Sequence, residues 1–424
     1  MLHMVEAAHR VAHVMPGSAG IVLAGAAALG AYEVGVLSHV FERVLPEVGG
    51  SIDVFTGTSA GAINATALAA FADQPVAGTR LLAREWSELV LAQVVRPSSI
   101  ELFSMLLDVA GAPTRLRRAL QVRTIRGGLL DSAPIARLVA RIPTARISEQ
   151  VRAGHVRGIA ISATRVANGR AIVFYEASPA TGPWHTEVHV IPVATQLSGD
   201  HVLASAAIPL LFPAVQIDGE PYCDGGLRQM VPLSPAIHLG AERLLVVNPL
   251  PAVRDNPARA PAVTSPLYLA GKALNTLFAD RVEVDLMQLD RTTAILRAGA
   301  RRFGPSFERE INRQLVVDGE HPLHAIEAVC LEPSRDLGLL AAEYVTSPRF
   351  ASRGSAGWLL RRIADGDPER AGDLLASLLF DGGFTSELVE LGQADARRQH
   401  ARLAALLAPR VDGERARRSR SAGE

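Results

Sequence analysis

Ile52-Asp53-Val54-Phe55-Thr56-Gly57-Thr58-Ser59-Ala60-Gly61-Ala62-Ile63-Asn64-Ala65 is the stretch that decides the fold. Its first five residues are short and mostly apolar, as expected of a strand covered on both faces. The alanine-rich run from Ala60 to about Ala72 predicts a helix. Between them, Gly57 and Gly61 bracket Ser59 in a Gly-X-Ser-X-Gly pentapeptide. Strand, sharp turn and helix in that order describe a nucleophile elbow. Such an elbow holds its serine in strained φ/ψ, while the flanking glycines let strand and helix approach without Cβ collisions. The helix N-terminus brings backbone N–H groups and positive potential beside the serine oxygen, which favours a developing oxyanion. A glycine-softened turn ending in an N-cap serine is the plainer reading of the same letters.

The same grammar appears just upstream. Gly20-Ile21-Val22-Leu23-Ala24 reads as a buried strand, Gly25 to Gly30 as a small-residue loop, and Gly30 to about Val44 as a helix stopped by Pro46 and Gly49. Two strand-loop-helix units in succession predict a parallel sheet in an α/β fold. Further strands are expected at 157–164, 171–174, 214–217 and 243–248. A proline-rich segment from Pro251 to Pro266 reads as a linker or lid, and 267–407 turns mainly helical. The expected organisation is an N-terminal lead (1–19), a catalytic domain (20–250), a helical C-terminal extension (251–408) and a disordered tail (409–424).

Composition narrows the function. The 424 residues are 48% hydrophobic and carry 43 basic against 43 acidic side chains, so the chain is neither disordered nor a polyanion binder, and no nucleic-acid partner is expected. Cys223 and Cys330 are the only cysteines, too few for a disulfide scaffold or a cysteine-built zinc site. Residues 1–15 lack the continuous apolar core of a signal peptide, and no stretch reaches the ~18 apolar residues of a membrane span. A cytoplasmic protein is expected; Leu102 to Val109 reads as a helix packed on the core or, alternatively, as an amphipathic surface helix that meets lipid peripherally beside Arg115-Leu116-Arg117-Arg118. No metal cluster, phosphate loop or dinucleotide fingerprint is present, and no cofactor is called for.

Ser59 needs a base. Asp224, in Tyr222-Cys223-Asp224-Gly225-Gly226-Leu227, stands before two glycines that can turn the backbone and present a carboxylate at a strand end. Taken alone, Asp-Gly-Gly is commonest as a plain turn. Three ordered segments change its weight: Gly57 to Ala65, Ala204-Ser205-Ala206-Ala207-Ile208-Pro209-Leu210-Leu211-Phe212-Pro213, and Asp224 to Leu227. Together they resemble the patatin-like phospholipase family. Leu23 to Leu37, Ile161 to Phe174 and Leu378-Leu379-Phe380-Asp381-Gly382-Gly383-Phe384 are similar to bacterial members.

The resemblance implies a three-layer α/β/α fold and hydrolysis of acyl-lipid or other ester substrates. It assigns Ser59 as nucleophile and Asp224 as base, in a dyad without histidine that works through an acyl-enzyme. It places the oxyanion hole on backbone amides of Gly25, Ala26, Ala27 and Ala28, with Gly30, Gly57, Gly61, Gly225 and Gly226 as motif glycines. The chain departs from the family in that loop. Gly25-Ala26-Ala27-Ala28-Leu29-Gly30 replaces the usual run of glycines and the basic residue that follows it. Alanine keeps its N–H, but an inner position needing a left-handed backbone would cost roughly 1–2 kcal/mol. A patatin-fold binding or regulatory module with impaired catalysis is therefore the alternative. A histidine-based hydrolase would draw on His238, His321 or His324, which follow Asp224 in settings suited to surface or capping roles.

Overall fold

The computed structural model describes residues 17–91, 132–181, 184, 190–209, 211–250, 266–317, 322–350, 357, 360–361, 372 and 375–409, with the backbone alone for 266–283. The Leu102–Val109 segment, Arg115 to Arg118, His321, most of the lead and of the proline-rich stretch, and all but the start of the tail lie outside these residues.

Among the described residues, nine strands form one sheet: β1 (Ala19–Leu23), β2 (Val54–Thr58), β3 (Gly158–Arg165), β4 (Ala171–Ala177), β5 (Val190–Ala194), β6 (Val215–Ile217), β7 (Glu220–Asp224), β8 (Arg243–Val247) and β9 (Glu327–Leu331). Their order is β5-β4-β3-β2-β1-β8-β9, with the β6–β7 hairpin branching from β3. The central pairs β3–β2, β2–β1, β1–β8 and β8–β9 are parallel, while β4 and β7 run antiparallel to β3. Every residue of β1, β2 and β8 is buried, which explains why these strands read as apolar runs without alternation.

Among the described residues, the longer helices around the sheet are α1 (Gly30–His39), α2 (Ala60–Ala70), α3 (Pro75–Ser87), α4 (Ala133–Ala140), α5 (Ala145–Ala153), α6 (Gly199–Ser205), α7 (Leu233–His238), α8 (Pro266–Phe303), α9 (Phe307–Val317), α10 (Leu337–Thr346), α11 (Gly382–Arg398) and α12 (His400–Leu407). One core joins one sheet face to α1–α6 and α10–α12. A second joins the other face to α7, with Leu286 and Leu289 of α8 packed on it. The architecture is three-layer α/β/α with a mainly parallel sheet, as the sequence implies.

Three strands escape the sequence reading. β5 contains Pro192 and β9 is short; both lie at sheet edges, where proline and weak periodicity are tolerated. β7 is carried by its pairing with β3 rather than by composition. The stretch after residue 250 is mainly helical but is woven into the domain: β9 extends the sheet beside β8, and α11 lies along α1. Gly35 and Gly392 permit that contact, since a Cβ on Gly35 would strike the Val389 carbonyl and one on Gly392 the Tyr32 carbonyl.

Candidate active site

Strand β2 ends at Thr58 and α2 starts at Ala60, so Ser59 alone makes the corner. Its φ of 55° and ψ of −122° lie where L-residues are strained. The corner is as tight as the glycines permit: a Cβ on Gly57 would collide with the Gly61 carbonyl, and one on Gly61 with that of Leu23. Neither glycine has positive φ. They serve close approach, and the backbone strain falls on the serine. Ser59 makes no side-chain cap bond to α2, so its hydroxyl is not spent as an N-cap.

Asp224 ends β7 opposite Ala163 of β3, two strands across the sheet from β1. The antiparallel β7–β3 ladder brings its carboxylate to the elbow, and the residue is 1% exposed. Oδ1 accepts the Gly226 N–H at 2.7 Å. The Ser59 hydroxyl also acts on the carboxylate and lowers its pKa, yet Oδ2 has no partner of good hydrogen-bond geometry. A loose contact of this kind is usual in a catalytic pair without substrate. Burial outweighs both contacts and pushes the carboxyl up to about 6 from an ordinary 3.8. Gly225 also serves close approach, because a Cβ there would meet the Ser162 carbonyl.

The loop before α1 forms a 3₁₀ turn, Ala27–Leu29, beside the elbow. Gly25 is corrected as an oxyanion donor: its N–H is engaged by the Met230 carbonyl at 3.0 Å. Its glycine character answers crowding by Met230 Sδ and Ser59 Cβ. The amides of Ala26, Ala27 and Ala28 are the remaining candidates. Ala27 has φ +49°, so one inner alanine does occupy the left-handed region. Leu29 is packed in the core. Beneath the loop, Asn64 Nδ2 donates to the Gly30 carbonyl at 3.0 Å and to Glu33 Oε2 at 2.8 Å, while its Oδ1 accepts from Trp86 Nε1. Burial raises the Glu33 pKa well above the usual carboxylate range.

An open apolar pocket reaches Ser59 and Ala27. Trp86, Leu89, Leu138, Phe212 and Phe380 form much of its wall. Phe380 comes from the late Leu378 to Phe384 run, which is fixed by Asp381 capping α11 and accepting the Tyr344 hydroxyl at 2.6 Å. Among the described residues, no histidine lines this pocket. His238 stacks on Trp184 with ring centroids 4.8 Å apart, and His324 pairs with Glu308 at 3.2 Å. His201 caps its own helix through Ser198.

Sequence reasoning missed Ser205, whose hydroxyl accepts the Ser59 N–H. It also missed Thr164, which donates to the Asp224 carbonyl at 2.9 Å, and Gln229, which ties Thr58 to Ser162. Ser205 lay within a quoted motif, but nothing in the letters distinguishes a bridging hydroxyl from a small filler.

A model of the patatin-like phospholipase family matches residues 21–237. No curated protein matches the chain. Among solved structures, VipD from Legionella pneumophila is 13% identical, with 91% of this chain and 67% of that one covered and a TM-score of 0.33. The ExoU–SpcU heterodimeric complex from the type III secretion system of Pseudomonas aeruginosa is 15% identical, covering 91% and 76%, with a TM-score of 0.22. Among the described residues, no helix is long and apolar enough to cross a membrane.

Proposed function

The chain belongs to the patatin-like phospholipase family, a membership that supports lipid hydrolysis, and on that premise we propose that it is a serine acyl hydrolase working through a Ser59–Asp224 dyad. One observation carries the reading: a buried carboxylate of raised pKa, with one oxygen unpartnered, faces the hydroxyl of a serine held at a strained strand-to-helix corner.

Ser59 Oγ attacks the ester carbonyl carbon as its proton passes to Asp224, giving a tetrahedral oxyanion. The amides of Ala26, Ala27 and Ala28 and the N-terminus of α2 stabilise that charge, and the apolar pocket takes the acyl chain. Collapse breaks the ester C–O bond, and the alcohol leaves with the proton returned by Asp224. Water, deprotonated by the same carboxylate, then attacks the acyl-enzyme and releases the acid. A base that titrates near 6 is ionised at neutral pH yet far stronger than an ordinary aspartate, which a dyad without histidine requires.

The test is a screen of p-nitrophenyl esters and phospholipids with wild type, Ser59→Ala and Asp224→Asn, alongside fluorophosphonate labelling. Turnover and label should both depend on Ser59. Absence of turnover and of label in the wild type would leave the binding-module reading standing.

A further inference from the structure

We propose that Ser205 is a positioning residue that sets the nucleophile against its base, a role that rests on the dyad reading above. Ser205 is the last residue of α6 and has no exposed surface. Its hydroxyl donates to the Ser162 carbonyl of β3 at 2.7 Å and accepts the Ser59 N–H at 2.9 Å. The directions are forced, because an amide N–H can only donate and a carbonyl can only accept. Two residues on, the Ala207 carbonyl accepts the Asp224 N–H at 2.8 Å. A single three-residue strap, 205–207, therefore grips the backbone of both Ser59 and Asp224 and anchors to the strand that pairs with β7.

The need for a hydroxyl follows from the elbow. β2 has ended at Thr58, and the corner turns the Ser59 amide away from the parallel ladder, so strand pairing cannot satisfy it. A buried amide without a partner is costly. Backbone from α6 could supply an acceptor but could not also donate to β3; a serine side chain does both at once. Removing the oxygen frees the Ser59 amide to rotate toward another acceptor, and Oγ turns with it. Of the strap only Ala206 lines the pocket, whose large wall residues Trp86, Leu89, Leu138, Phe212 and Phe380 lie outside it. The signature is thus a loss of turnover without a loss of binding.

Ser205→Ala should lower kcat by about ten- to a hundredfold, the scale of a sub-ångström to 1 Å misplacement of a reacting atom, with KM unchanged. Fluorophosphonate labelling of Ser59 should slow in parallel, and Ser205→Thr should recover much of both rates. Thr293→Ala is the matched control for lost stability. Thr293 is also a buried hydroxyl bridging a carbonyl and an amide, those of Ile326, but Ile326 leads into β9 beside Arg243 at the entry end of the parallel strands, whereas Ser59 follows the exit end of β2. It should lower the melting temperature with kcat intact. Wild-type kcat in Ser205→Ala would overturn the proposal. So would equal losses of kcat per folded molecule in Ser205→Ala and Thr293→Ala, or a loss confined to KM. A wild-type protein that takes no label at Ser59 would instead overturn the dyad reading itself.

Discussion

Asp224→Asn should stabilise the protein while disabling it, and the gain should depend on pH. The Asp224 carboxyl is 1% exposed and is pushed up to about 6, against 3.8 for an ordinary aspartate. A difference of that size corresponds to roughly 3 kcal/mol between the folded and unfolded chain for holding the charge. The direction follows from proton binding. Between about pH 4 and 6 the folded state binds more protons at this site than the unfolded state does, so stability falls as pH rises through that window and stays lowered above it. Asparagine carries no charge to bury. Its Oδ1 can still accept from the Gly226 N–H, and its amide can donate toward Ser59. Against wild type, Asp224→Asn should gain little at pH 4 and about 2–3 kcal/mol at pH 8. Urea or thermal unfolding of both proteins at the two pH values measures it. Esterase activity should fall by about 10²- to 10⁴-fold, the scale of a lost general base. In the wild type, kcat/KM should rise with pH through about 6, because the base works only when ionised. Equal stability of the two proteins at pH 8, a gap that does not change with pH, or an acid limb near 4 would refute the assignment of a buried base whose charge is costly to hold.

Ala27→Gly removes a left-handed alanine, worth roughly 1–2 kcal/mol, and pays back part of it in chain entropy. It should raise stability by up to about 1 kcal/mol in a denaturation assay, and unchanged or lower stability would show that the loop holds Ala27 without strain. Phe380→Ala should enlarge the pocket at a cost of about 3–5 kcal/mol in stability. In the p-nitrophenyl ester series it should move the preferred acyl chain to longer members, and an unaltered preference would mean the pocket does not receive the acyl group.

The sequence showed the scaffold of the site more plainly than its mechanics, and the reason lies in what each residue answers to. β1, β2 and the two loops that follow them are local: apolar runs, small residues and helix stops lie within a few positions of one another, and the structure builds them as read. Asp224 is also visible, since an acid before two glycines marks a turn whatever its purpose. β9 was hidden because Glu-Ala-Val-Cys-Leu is short, follows helices and becomes a strand only by pairing with β8. The Gly25 amide was assigned to the oxyanion because nothing near it in sequence announces the Met230 carbonyl that engages it. Ser205 is an extreme case, a residue with one side-chain oxygen whose two partners, Ser59 at the corner after β2 and Ser162 in β3, are far from it in sequence. The glycines carry the main physical lesson. Gly25, Gly57, Gly61 and Gly225 are placed for proximity, none with positive φ, while Ser59 and Ala27 hold the left-handed backbone. Strain in this site therefore sits on the proposed nucleophile and on a candidate oxyanion donor, where a change of backbone would alter chemistry as well as stability, and close packing by the glycines keeps it there.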